Sequence, residues 1–205
     1  IENCKVTNSS VSTNREALTV TTPATAVLSK IIRCEVISTN GNAMVMAGDG
    51  LIAYCYIHDS SASGIVTNAS SVFIIGNVFD TCGQGISMTT IANPVVNNTF
   101  YACTTGILGT TGNVVAYNNL FDTNTTGASW NAGVLNYFDY NQWSNNTTDV
   151  TNVTKGDHDI TANITLTNPA SGDFTLPSGA GAIDGGAQVG TDQGATGDYK
   201  WNIGA

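Results

Sequence analysis

Three residue series that recur every 20 to 23 positions, short β-forming runs and a nearly charge-free composition predict an all-β solenoid. More closely, they predict a right-handed parallel β-helix of about 21-residue rungs with an irregular C-terminal closing segment. Gly64, Gly85, Gly106 and Gly127 recur at intervals of 21, and Ala43 extends the series backwards. Three residues before each glycine comes Ser61, Cys82, Cys103 or Asn124. A third series runs Cys34, Cys55, Gly76, Asn98, Asn118, Asn141, and two residues after each stands an apolar one: Val36, Ile57, Val78, Phe100, Leu120, Trp143. Runs such as Leu51-Ile52-Ala53-Tyr54 and Val114-Val115-Ala116-Tyr117 are rich in strand formers and bounded by turn residues. Four residues cannot bury an apolar face alone, so neighbouring copies must stack. Ankyrin and tetratricopeptide units need about 33 and 34 residues and a helical period that is missing here.

Each position in such a coil carries its own expectation. Equivalent residues of successive rungs stand about 4.8 Å apart, the strand separation of a sheet. The Asn98, Asn118, Asn141 series is then placed to form an amide ladder, and the cysteines act as small buried hydrophobes, free rather than bridged. Gly before an inward residue relieves a place where a Cβ would clash. Cys4-Lys5-Val6 reads as an earlier copy separated from Cys34 by a looped-out rung. Two regions follow: rungs over 1–155 and a closing segment over 156–205, packed on the helix. The first residues already stand in repeat phase, which would expose strand edges. The expectation is a piece of a larger chain, or a subunit whose stack a neighbour completes; no leader segment is visible.

Composition narrows the function. Only 10% of residues are charged, against roughly 25% in an ordinary domain, which suits a surface of hydroxyls and amides. The formal charge is −9, with six basic residues and none between Cys34 and Thr154. Nucleic acid and anionic membranes both require Lys and Arg, so both are disfavoured as partners. No apolar run approaches the roughly 20 residues of a spanning helix. Asn-x-Ser/Thr sequons at Asn8, Asn68, Asn97, Asn145, Asn146, Asn152 and Asn163 point to an extracellular, cell-surface or virion-surface location and are glycosylation candidates. An eighth, Asn124, makes a poor acceptor because it belongs to an inward series.

Segments such as Asn118-Asn119-Leu120 … Asn124 … Gly127 and Gly76-Asn77-Val78 … Cys82 … Gly85-Ile86 resemble the parallel β-helix repeats of pectate-lyase-like proteins. The stretches Asn168–Leu176, Ala182–Gly186 and Asn202–Ala205 are similar to the closing segment of secreted bacterial and phage-encoded β-helix surface proteins. The resemblance covers most of the chain and implies the fold. It leaves function open, because this fold hosts lyases, hydrolases, adhesins and inert shafts. Lyases of the family pair Ca²⁺-binding acids with a basic residue that abstracts the proton, and the central rungs carry no such residue.

Candidate sites are few. Asp59, Asp80 and Asp122 occupy one phase of the repeat, interrupted by Ala102. They suit a Ca²⁺ site or paired carboxylates for glycoside hydrolysis, or simply Asp in turns. Phe79, Tyr101 and Phe121 share one phase, immediately after the inward Val78, Phe100 and Leu120, so alternation points them outward, as a carbohydrate platform or a protein interface. Asp157-His158-Asp159 is the one cluster with metal or general-base potential, although a lone His between two acids in a loop is usually just solvated. His58 reads as an outward strand residue. No metal or other cofactor is expected beyond Ca²⁺ at these acids. The reading is a non-enzymatic structural or adhesive protein of an extracellular filament, cell surface or phage particle, self-assembling or joined to other subunits. The alternative is a carbohydrate-active β-helix that binds or hydrolyses a neutral polysaccharide.

Overall fold

A computed structural model describes residues 1–9, 16–21, 28–68, 71–89, 93–111, 113–131, 136–178 and 186. The rungs wind through three parallel sheets. The first contains β1 (Lys5–Asn8), β4 (Glu35–Ser38), β7 (Tyr56–His58), β10 (Val78–Asp80), β13 (Thr99–Tyr101), β16 (Leu120–Asp122) and β19 (Gln142–Ser144). The second contains β2 (Leu18–Val20), β5 (Met44–Met46), β8 (Ser63–Thr67), β11 (Gln84–Met88), β14 (Thr105–Gly109), β17 (Thr126–Trp130) and β20 (Thr148–Thr151). The third contains β3 (Ser29–Ile32), β6 (Gly50–Ala53), β9 (Val72–Ile75), β12 (Asn93–Val96), β15 (Val114–Tyr117) and β18 (Tyr137–Asp139). Each strand from β1 to β17 pairs in parallel with the one three elements further along, which makes the all-β parallel solenoid the sequence predicts. The first rung is longer than the others, since β1 pairs with β4 across 30 residues.

The corner between the third and first sheets is built by two adjacent residues with different tasks. Arg33, Tyr54, Gly76, Asn97, Asn118 and Tyr140 take left-handed backbone with φ between 52° and 66°. Each precedes an inward residue: Cys34, Cys55, Asn77, Asn98, Asn119 or Asn141. The amide ladder therefore runs through Asn77, Asn98, Asn119 and Asn141, which corrects the sequence alignment at Gly76 and Asn118. In each step the backbone N–H and side-chain Nδ2 of one Asn donate to Oδ1 of the next, at 2.9 to 3.1 Å. Left-handed non-glycine residues cost about 1–2 kcal/mol each, and the ladder bonds that follow them offset it. At Gly76 a Cβ would stand 2.7 Å from the Tyr54 ring, so a side chain there would have to displace that ring.

The corner between the first and second sheets repeats the device. Asp59, Thr81, Ala102, Thr123 and Asn145 are left-handed, followed by Ser60, Cys82, Cys103, Asn124 and Asn146. The inward residue of the early rung is thus Ser60, buried, rather than Ser61, exposed.

The interior is packed by ladders of like residues. Val36, Ile57, Phe79, Phe100, Phe121 and Trp143 face inward from the first sheet in direct register. The rings of Phe79, Phe100, Phe121 and Trp143 stack at 4.8, 4.8 and 4.3 Å, within 7° of parallel. That separation is the rung spacing itself. The 21-residue glycine series is the counterpart of this stack: a Cβ on Gly85 would stand 2.6 Å from both the Gly106 carbonyl oxygen and a Phe100 ring carbon.

All five cysteines are free; Cys34, Cys55, Cys82 and Cys103 are buried and Cys4 is exposed. Burial pushes the Cys55 thiol up to about 11 and the Cys103 thiol well above its ordinary value, and the thiolate is the reactive form. Iodoacetamide on the folded protein is therefore expected to label Cys4 alone, with four further sites appearing in denaturant. Mass spectrometry of the labelled peptides reads the result.

After β20 the chain turns back along the outer face of the first sheet. Ile160 bridges to Gln142, and Ile164, Leu166 and Phe174 bury Leu120 and cover Val78, Tyr56 and Tyr101. Leu120 and Val78 therefore face outward beneath this segment, not into the core. A short 3₁₀ turn, Pro169–Ser171, tops it. Apart from Gly186, the stretches Ala182–Gly186 and Asn202–Ala205 lie outside the described residues. Among the described residues no helix is long and apolar enough to cross a membrane.

Candidate functional site

The turn Pro169–Gly172 overhangs the outer face of the first sheet and leaves an open cleft of about 560 Å³. Tyr56, His58, Asp59, Asp80, Thr81 and Tyr101 form its floor. Strand alternation places Tyr56, His58, Asp80 and Tyr101 on the outer face, with Asp80 in register with both His58 and Tyr101. Asp59 stands one residue later, at the left-handed corner, in phase with Thr81, Ala102 and Thr123. The sequence alignment of Asp59 with Asp80 and Asp122 is thus corrected. Asp80 and Asp122 are two rungs apart with Tyr101 between them, and Asp59 belongs to the neighbouring series.

The polar groups of the cleft are joined to one another. His58 Nδ1 meets Asp59 Oδ2 at 2.9 Å and its Nε2 meets Glu35 Oε1 at 3.1 Å. Glu35 also accepts from Lys5 Nζ at 2.6 Å, and this bond, aided by His58 and opposed by burial, holds its carboxyl below the ordinary value. Tyr56 stacks on the His58 ring at 4.2 Å and donates its hydroxyl to Asp80 Oδ2 at 2.9 Å. The other Asp80 oxygen accepts from Thr81 at 2.7 Å. Burial, the bond to Asp80 and the surrounding carboxylates raise the Tyr56 hydroxyl, so it remains a donor at neutral pH. Burial, with Asp122 and Asp80, raises Tyr101 likewise.

The expected outward stripe of Phe79, Tyr101 and Phe121 does not form. Phe79 and Phe121 are fully buried in the ring stack, and Tyr101 alone faces out, edge-on to Phe174. A one-residue slip of register exchanges the faces of a strand. The slip arose from aligning Val78 and Leu120 with Phe100, whereas the 21-residue spacing of Phe79, Phe100 and Phe121 aligns them with each other.

Asp157, His158 and Asp159 separate into three roles. Asp159 ends the amide ladder, accepting from Asn141 N at 2.7 Å, Trp143 Nε1 at 2.8 Å and Gly156 N at 3.1 Å. Burial raises its carboxyl despite these bonds. His158 pairs through Nδ1 with Asp139 Oδ2 at 2.9 Å and stacks on Tyr140. Burial acts upward on Asp139 but is outweighed by the His158 ring and the His158 and Tyr140 amides, which hold the carboxyl below its ordinary value. Asp157 is exposed. Among the described residues no group of three or more His, Cys, Asp or Glu could hold a metal ion.

The sequon asparagines differ in what their amides do. Nδ2 of Asn124 and of Asn146 donates inside the ladder, Asn145 Nδ2 donates to Asp122, Ser144 and Ile164, and Asn152 Nδ2 to Trp130 O. Asn97 stands half-buried at a corner with its Oδ1 closed off from solvent, and Asn8 is half-buried. Asn68 and Asn163 are exposed.

A family model for the right handed beta helix region matches residues 1–149. The chain belongs to this right-handed β-helix family. The match spans the stacked rungs, gives the solenoid its hand, and fits the pectate-lyase-like superfamily whose repeats the rungs resemble. No curated protein and no solved structure matches the chain.

Proposed function

We propose that this right-handed β-helix protein is a non-enzymatic structural or adhesive element of an extracellular filament, cell surface or phage particle. The observation that carries the reading is the state of the cleft. Glu35, His58, Asp59 and Asp80 are all engaged with partners from the same chain. Hydrolysis of a glycosidic bond needs two carboxyl groups free to meet the scissile oxygen and a water or sugar carbon. A rigid rod, in contrast, needs what the rungs supply: side-chain ladders that lock one copy to the next. Incubation with a panel of neutral polysaccharides is expected to release no reducing ends, and electron microscopy is expected to show the protein in extended assemblies. Sugar release that Asp80→Asn abolishes would overturn the proposal, as would micrographs of dispersed monomers only.

One observation favours the second reading, a carbohydrate-active β-helix. Tyr56 and Tyr101 lie beside Asp80 in a solvent-open cleft, and aromatic rings beside hydrogen-bonding groups suit sugar faces. The same glycan panel decides between the two, with binding scored separately from cleavage.

A further inference from the structure

The closing segment is attached to the rungs in two different ways along its length. As far as Ile164 it is stitched to β19 and the corner after it. Asn141 N donates to Asp159 Oδ1 at 2.7 Å, Trp143 N to Ile160 O at 2.8 Å, and Gln142 Nε2 to Ala162 O. Asn145 N donates to Asn163 Oδ1 at 3.0 Å, and Ile164 exchanges bonds with Ser144 Oγ and accepts from Asn145 Nδ2. Past Ile164 the stitching stops. Among the described residues, no hydrogen bond or ion pair joins residues 165–178 to a rung. The polar groups of this stretch turn to one another instead. Thr167 N and Oγ1 both donate to Thr175 O, at 3.1 and 2.9 Å, and Asn168 and Asp173 exchange backbone bonds at 3.0 Å. Thr175 N and Oγ1 both donate to Asp173 Oδ1, at 3.1 and 2.6 Å.

Apolar contact alone holds this internally bonded loop to the sheet. Leu166 and Phe174 are buried over the outer face, and the Phe174 ring lies 5.8 Å from that of Tyr56 and 5.6 Å from that of Tyr101. We infer that residues 165–176 are a lid that lifts from the first sheet in one piece while the rungs stay folded, with Phe174 as its latch. The two kinds of attachment give the reason. Moving a rung breaks ladder bonds on both of its sides, whereas the lid carries its hydrogen bonds with it. Two buried side chains of this size favour the closed lid by a factor of about 10² to 10⁴. Global unfolding of a stable domain is disfavoured by a factor of about 10⁴ or more, so the lid opens more often than the rungs. The consequence falls on the cleft. With the lid closed, the turn Pro169–Gly172 bounds about 560 Å³ over Tyr56, His58, Asp80 and Tyr101. With the lid lifted, the same floor continues along the outward column Tyr56, Val78, Thr99, Leu120, which stands in direct register. The lid thus sets how much of the sheet a ligand of the cleft can reach. The inference holds for a shaft and for a carbohydrate-active chain alike, since it concerns which parts of the chain move together.

Thiol labelling of the full chain tests the lid, because the native cysteines supply both references. Cys4 is exposed, and Cys55 and Cys103 are buried within the rungs. Leu120→Cys places a reporter under the lid, at a position 1% exposed. Iodoacetamide uptake is read on peptic peptides by mass spectrometry. The reporter is expected to label more slowly than Cys4 and about tenfold or more faster than Cys55 and Cys103. Adding Phe174→Ala is expected to speed the reporter about tenfold or more and to leave both rung thiols unchanged. Val78→Cys, also beneath the lid, is the second reporter should the Leu120 variant lose its circular dichroism. A reporter as slow as Cys103 would overturn the inference, since the segment would then open only with the rungs. So would a reporter as fast as Cys4, which means a face never covered, or one indifferent to Phe174→Ala.

Discussion

Asn98→Ala is expected to destabilise the protein by about 3–5 kcal/mol, read as a lower denaturant midpoint at unchanged slope. Asn98 Oδ1 accepts from both the backbone N–H and the side chain of Asn77, while its Nδ2 donates to Ile74 O, Val96 O and Asn119 Oδ1. Alanine removes all five bonds and leaves the buried Asn77 N–H without its acceptor. An orphaned buried donor costs about 1–3 kcal/mol, and the emptied volume adds to it. The left-handed corner at Asn97 also loses the bonds that hold the next residue in place. Cys55→Ala occupies the same ladder position two rungs earlier but deletes only weak sulfur contacts, so about 1 kcal/mol is expected there. Equal costs at the two positions would show that burial, not the amide ladder, dominates the corner.

Phe100→Ala is expected to cost about 3–5 kcal/mol, towards the upper end of that range. Its ring lies between those of Phe79 and Phe121, 4.8 Å from each. The cavity cannot close, because Thr99 and Tyr101 are pinned by ladders to β10 on one side and β16 on the other. Neighbouring rungs would have to break main-chain bonds to approach. Gly85 and Gly106 offer no side chain to fill the gap. Phe100→Leu retains most of the volume and is expected to cost less than about 1.5 kcal/mol. Chemical denaturation of the two variants side by side tests the difference. A small loss for the alanine variant would mean that the stack relaxes along the helix axis.

Much of the architecture was legible because a solenoid writes itself into its sequence as a period. Cys34 and Cys55, Gly64 through Gly127, and the Asn series all recur because each rung meets the same neighbours above and below. Asn98 and Asn141 could be placed in a ladder from spacing alone. Phase within a rung was harder. The rungs are 21 or 22 residues long by turns, and one residue of slip carries a side chain from core to solvent. Gly76 and Asn118 consequently stood in for Asn77 and Asn119, and Phe79 and Phe121 were assigned to the surface. The exact 21-residue spacing from Phe79 to Phe100 to Phe121 held the remedy.

The sequence by itself determined the stacking: a short rung that cannot bury its own face must repeat, and its repeat dictates like-on-like ladders. It also held the scarcity of basic residues from which the expectation against nucleic acid and anionic membranes follows. Only the tertiary structure decided which residues meet across long distances. Tyr56, His58 and Asp80 come under the Pro169–Gly172 turn, about 100 residues away in the chain, because the closing segment folds back over the first sheet. Asp159 ends the amide ladder, because the last ladder Asn still needs an acceptor. No local pattern encodes such contacts. They follow from which apolar face the closing segment buries, and that choice is made only once the rungs are stacked.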